Sequence, residues 1–145
     1  MKQPPRDKHT PILTREHWIH VTGYGAMITC AVLGALLISL YVLGLPERES
    51  VTISFLTLAF AQLWHVFNMR ERSSSMFNNA IIRNPFIWGA LALCTVLLLM
   101  TLYVPILSSV LKVVNPGFQG LALMFGMSLL PLVAGQLFAA LFRSR

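Results

Sequence analysis

Residues 84–111 read NPFIWGALALCTVLLLMTLYVPILSSVL, a run without one formally charged side chain. Roughly 20 such residues suffice for a helix to cross the hydrocarbon of a bilayer. Three further runs share this character: His17 to Pro46, Ser50 to Met69 and Val113 to Phe142. An open sheet in lipid would leave backbone groups unpaired at several kcal/mol each, so helices are the spanning form these runs predict. The expected architecture is an all-α membrane protein, a four-helix transmembrane bundle with helices over about 18–45, 51–69, 85–108 and 119–142.

Composition agrees. Of 145 residues, 56% are hydrophobic and 11% charged, against the quarter or so of charged residues in an ordinary soluble domain. Mean hydropathy is +0.69. Membrane lipids are therefore the expected surroundings, and the apolar runs form one domain over 1–145. A net charge of +6 and a pI near 10.0 do not point to nucleic acid, because the basic residues sit at segment ends without aromatic interleaving.

Those basic residues instead set orientation, since short loops rich in Lys and Arg stay in the cytoplasm. Lys2, Arg6, Lys8 and Arg15 precede the first run; Arg70, Arg72 and Arg83 lie between the second and third; Arg143 and Arg145 end the chain. Arg48 and Lys112 fall on the opposite side. Both termini are thus expected in the cytoplasm of a multi-pass cell-membrane protein. Trp18, Tyr41, Trp88 and Tyr103 lie near the expected interfaces, where amphipathic rings settle. The long polar leader with Pro4-Pro5, opening onto a run longer than a signal-peptide core, predicts a retained first helix.

Ionisable residues inside a membrane are the first functional suspects. None of the four run centres holds Asp, Glu, Lys or Arg, which removes the main support for a proton-coupled drug transporter. The second run holds the one polar constellation. At 100° per residue, Ser54, Thr57, Ala61, Gln62, His65 and Asn68 fall within about 140° of arc. Two readings stand. The stripe supplies interhelical hydrogen bonds, worth about 0.6 kcal/mol each in membranes, or Gln62 offers its side-chain oxygen to a cation pathway completed by other helices.

His65 alone falls short of the three or four ligands a metal site needs, and His9, His17 and His20 lack a recognised zinc spacing. Cys30 and Cys94, inside apolar runs, read as packing residues. Ala26, Cys30 and Gly34 recur every four residues and predict the face by which the first helix packs closely. Pro105 and Pro131 predict kinks or local unwinding. No cofactor site and no catalytic residue is apparent.

Several words of the chain resemble the membrane region of type II P-type cation-transporting ATPases. Gln3-Pro4-Pro5-Arg6-Asp7-Lys8 and Pro11-Ile12-Leu13-Thr14-Arg15 are similar to the cytoplasmic connection after that family's sixth helix. Thr57-Leu58-Ala59-Phe60-Ala61-Gln62-Leu63-Trp64-His65-Val66-Phe67-Asn68-Met69-Arg70 resembles its eighth helix. Asn84-Pro85-Phe86-Ile87-Trp88-Gly89-Ala90 and Leu102-Tyr103-Val104-Pro105 resemble the ends of its ninth, and Ser128-Leu129-Leu130-Pro131-Leu132 its tenth.

The resemblance implies helices seven to ten of a ten-helix pump, whose remaining helices and cytoplasmic domains are the implied partners. It also implies that Gln62 stands where calcium pumps of the family carry an ion-binding carboxylate. The chain contains no Asp-Lys-Thr-Gly-Thr phosphorylation sequence, and phosphoryl transfer needs a positioned acceptor, metal and nucleotide contacts. It is therefore expected not to be an enzyme by itself. Met1 at the inter-helix connection suggests a split or truncated pump component. The alternative is an independent four-helix membrane protein, an oligomeric channel or a pump regulator.

Overall fold

The computed structural model describes residues 15–68 and 84–143, with the side chains of 15–17, 20, 68 and 138–143 outside that description. The described residues are helical and contain no strand. α1 (Arg15–Leu37) passes into a π-helical turn, Ile38–Val42. α2 (Glu47–His65) ends in a 3-10 turn, Val66–Asn68. α3 (Pro85–Tyr103), α4 (Pro105–Leu111) and α5 (Gly117–Arg143) follow. Among the described residues, three stretches are long and apolar enough to cross a membrane: Val21–Val42, Pro85–Tyr103 and Gly117–Leu137. α2 is not among them, because Glu47, Arg48 and Glu49 form its first turn and its polar stripe dilutes the rest.

α1, α2 and α5 pack on one another, while α3 lies to one side and touches α2. The core joins Ala35 of α1, Ile53, Leu56 and Phe60 of α2, Leu102 of α3, and Val113 and Met124. α1 packs through Ile28, Ala31 and Ala35, and the π-helical turn that follows through Ser39. The expected face of Ala26, Cys30 and Gly34 is displaced from this. Ala26 and Cys30 are exposed and line a shallow apolar groove of about 330 Å³ against α5, and Gly34 lies close to Met127. Small residues recur on both sides of α1, so their spacing alone did not distinguish the two faces.

Helix ends follow local chemistry. Asn84 caps α3 by accepting the Phe86 amide at 3.0 Å, and Pro85 occupies the first turn, where its missing N–H costs nothing. The expected third helix breaks at Val104, which turns extended ahead of Pro105, as residues before proline do. The chain then restarts as α4. Lys112 closes α4 in the left-handed region (φ 54°), with the Val113 amide donating to Ser108 O at 3.1 Å. Thr52 ties α2 to the connection before α5: its hydroxyl accepts the Val114 amide at 3.1 Å and donates to Arg48 O at 2.9 Å. Pro131 is accommodated inside α5, on its buried side.

Trp18, Tyr41, Trp88 and Tyr103 are all exposed and stand near helix ends. The polar connection around Ser73 to Asn79 and most of the basic residues that set the expected orientation lie outside the described residues.

Gly120 lets α5 come close to Ile53 of α2. A Cβ there would lie 2.6 Å from Pro116 Cβ and 2.9 Å from Ile53 Cδ1, whereas one at Gly126 meets nothing within 4 Å. The Pro116 ring cannot yield as a flexible side chain does. Gly120→Ala is expected to destabilise the protein by about 1–3 kcal/mol, and Gly126→Ala to stabilise it by up to about 1 kcal/mol. Thermal unfolding of both variants in one detergent checks the contrast in sign.

Candidate functional site

The stripe foreseen on α2 divides into two surroundings. Thr57 and Ala61 are buried, and Ser54 and His65 are partly covered; Ser50, one turn ahead of the stripe, is buried as well. Gln62 is exposed. Asn68 closes the 3-10 turn, and its side chain lies outside the described residues. At 100° per residue the stripe straddles a boundary. One side faces the packed bundle. The other continues into an open row of Val51, Phe55, Leu58 and Gln62, spaced four, three and four residues apart.

The hydroxyls of the stripe satisfy themselves locally. Thr57 Oγ1 donates to Ile53 O at 2.7 Å and Ser54 Oγ to Ser50 O at 3.1 Å, each within its own helix. This is the common way for a hydroxyl to sit inside a helix, and it leaves these two groups with no bond to a neighbouring helix. Ser50 Oγ is buried without a hydrogen-bond partner among the described residues. His65 packs edge-on against Tyr24 of α1, ring centroids 4.9 Å apart at 85°, and its Nε2 is likewise buried without a partner among them.

Interhelical hydrogen bonds come instead from residues beside the stripe. Trp64 Nε1 donates to Ser128 Oγ at 3.3 Å, and the Ser128 hydroxyl donates to Phe125 O at 2.9 Å. Gln136 Nε2 donates to Phe67 O at 3.4 Å, tying the end of α2 to α5. Ser128 and Gln136 were not singled out in the sequence. The available signal was simple: each is a polar residue within an otherwise apolar span, where a polar group finds a partner or remains costly.

Among the described residues no group of three or more His, Cys, Asp or Glu is placed to hold a metal. The two cysteines are free thiols, Cys30 exposed and Cys94 partly covered. Gln62 therefore brings one neutral amide to the open side of α2. Such an oxygen can join a coordination shell for a hard cation.

A family model described as "Cation transporting ATPase, C-terminus" matches residues 1–141. A Bacillus subtilis (strain 168) protein named Calcium-transporting ATPase is 32% identical over 141 residues, covering 94% of this chain and 16% of that protein. Calcium-transporting ATPase 1 of Bacillus cereus (strain ATCC 10987 / NRS 248) is 27% identical over 99 residues, covering 63% of this chain and 11% of that protein. The chain thus spans less than a fifth of the length of either relative.

The orphaned His65 nitrogen makes a testable contrast. A buried polar group without a partner costs about 1–3 kcal/mol, while an aromatic edge contact contributes about 0.5–1.5 kcal/mol beyond its burial. His65→Phe, which keeps a ring against Tyr24 and removes the orphan, is expected to hold or raise the unfolding temperature. His65→Ala, which removes the ring, is expected to lower it. Thermal unfolding of the two variants in lipid nanodiscs checks the ordering.

Proposed function

Because this chain belongs to the family formed by the C-terminal regions of cation-transporting ATPases, we propose that it is the membrane-embedded support region of such a pump, with its helices standing as the seventh to tenth of ten. On this reading α2 crosses the membrane with the three apolar stretches, making a four-helix bundle over 1–145. Both termini and the connection between α2 and α3 face the cytoplasm, where nine of the eleven basic residues then lie. The remaining helices and the ATP-hydrolysing cytoplasmic parts belong to another stretch of polypeptide, joined to this one or separate. The chain does not hydrolyse ATP by itself.

The open side of α2 carries this reading. α2 is too polar to rank among the apolar spans, yet it presents Val51, Phe55, Leu58 and Gln62 outward. A glutamine facing hydrocarbon finds no hydrogen-bond partner there, and unmet polar groups in lipid are costly. A surface of three apolar residues and one amide suits further protein helices better than lipid. Lipid covers the apolar outer faces of α1, α3 and α5. Gln62 then contributes its oxygen as a minor ligand to a cation held mainly by those other helices, with Ser54, Thr57, His65 and Asn68 serving packing beside it. Both relatives are named as calcium-transporting, so calcium is the cation to test.

In a complete pump containing this region, Gln62→Ala is expected to weaken apparent calcium affinity about fivefold, corresponding to one neutral ligand worth about 1 kcal/mol, with turnover at saturating calcium retained. Unchanged affinity would remove Gln62 from the pathway. Separately expressed pump core is expected to co-purify with the chain in native-like lipid. Failure to associate would favour the independent channel or regulator.

A further inference from the structure

Trp64 and Gln62 are two positions apart on α2, so their side chains leave the helix in nearly opposite directions. The aromatic and side-chain hydrogen-bond contacts of α5 with Phe60 and Trp64 lie on the side of α2 away from Gln62. Phe60 meets Phe125, with ring centroids 5.1 Å apart. One turn on, Trp64 Nε1 donates to Ser128 Oγ at 3.3 Å. Beyond that, Gln136 Nε2 donates to Phe67 O at 3.4 Å. The polarity of the middle contact is fixed, because an indole N–H only donates and the fully buried Ser128 hydroxyl commits its own proton to Phe125 O at 2.9 Å. Ring contacts tolerate sliding and rotation, whereas a hydrogen bond weakens steeply off its axis.

We propose that Trp64 and Ser128 are positioning residues, a clasp on the back of α2 that sets the rotation of the helix and thereby the direction in which Gln62 faces. A rotation of about 20° moves a Cα about 0.8 Å around a helix of 2.3 Å radius, and the amide at the end of the side chain moves further. A coordination shell is sensitive to displacements of that size. The functional part of the proposal rests on the reading of Gln62 as a cation ligand; the mechanical part does not.

The test has two arms. In the first, the full chain in lipid nanodiscs carries nitroxides at Gln62→Cys and Val133→Cys in a Cys30→Ser, Cys94→Ser background, and the distance distribution between them is measured. Ser128→Ala and Trp64→Phe, which delete the acceptor and the donor separately, are expected to broaden or displace the distribution beyond its original width. Ser128→Thr is expected to restore it. A distribution indifferent to both deletions overturns the clasp.

In the second arm, a complete pump containing this region carries the same substitutions. Ser128→Ala is expected to weaken apparent calcium affinity about twofold to fivefold with turnover at saturating calcium kept, a loss bounded by that of Gln62→Ala because the clasp acts through that ligand, and Ser128→Thr to recover it. If Gln62→Ala weakens calcium binding while neither deletion does, the positioning role is overturned. If the distances respond but Gln62→Ala leaves affinity intact, the cation role of Gln62 is what fails and the clasp stands.

Discussion

The polarity of α2 is the constraint from which the rest of the bundle follows. A helix carrying Ser50, Ser54, Thr57, Gln62 and His65 is poorly suited to lipid on all sides, so its neighbours must exclude lipid from most of it. α1 and α5 do so. Ala35 of α1 joins Ile53, Leu56 and Phe60 in the core, Gly120 of α5 lies close to Ile53, and the hydroxyls of Ser54 and Thr57 turn back onto carbonyls of α2 itself. One side is left open. That side holds the amide on which the proposed function turns.

Helices in a bilayer gain little from the hydrophobic effect when they associate, since lipid tails are as apolar as leucine. Shape and a few polar contacts therefore carry the packing. Ile53 against Gly120 and Met127 against Gly34 supply close fit. Thr52 to Val114, Trp64 to Ser128 and Gln136 to Phe67 supply direction. One polar tie lies near the start of α2 and two at its end, so it is held against α5 and its leading connection at both ends. A support region that presents a ligand to a larger assembly needs that stiffness more than it needs chemistry of its own.

Much of this was legible in the amino-acid order. The three most apolar helices follow from run length, and the breaks at Val104 and Lys112 lie close to Pro105 and Pro116-Gly117, where the chain signals them. Rotation about the helix axis was not legible. Composition placed Thr57 and Gln62 in one polar sector, yet the structure buries the first and exposes the second, because burial depends on where α1 and α5 approach. The same limit displaced the packing side of α1 from Cys30 to Ala31. Partner choice was hidden for a related reason: a serine in an apolar helix announces that it needs a partner, and only the packing of α5 on α2 reveals Trp64.

The pump reading requires α2 to cross the membrane despite its polarity, reversing the chain between Pro46 and the connection that precedes α3. Single cysteines introduced at Glu49 and Ser74, in a background without Cys30 and Cys94, place these two points directly when intact cells are treated with a membrane-impermeant maleimide. The account predicts labelling at 49 from outside and at 74 only after the cells are opened. Labelling of both from the same face would mean that α2 does not span, and neither the four-helix bundle nor the placement of Gln62 would survive it.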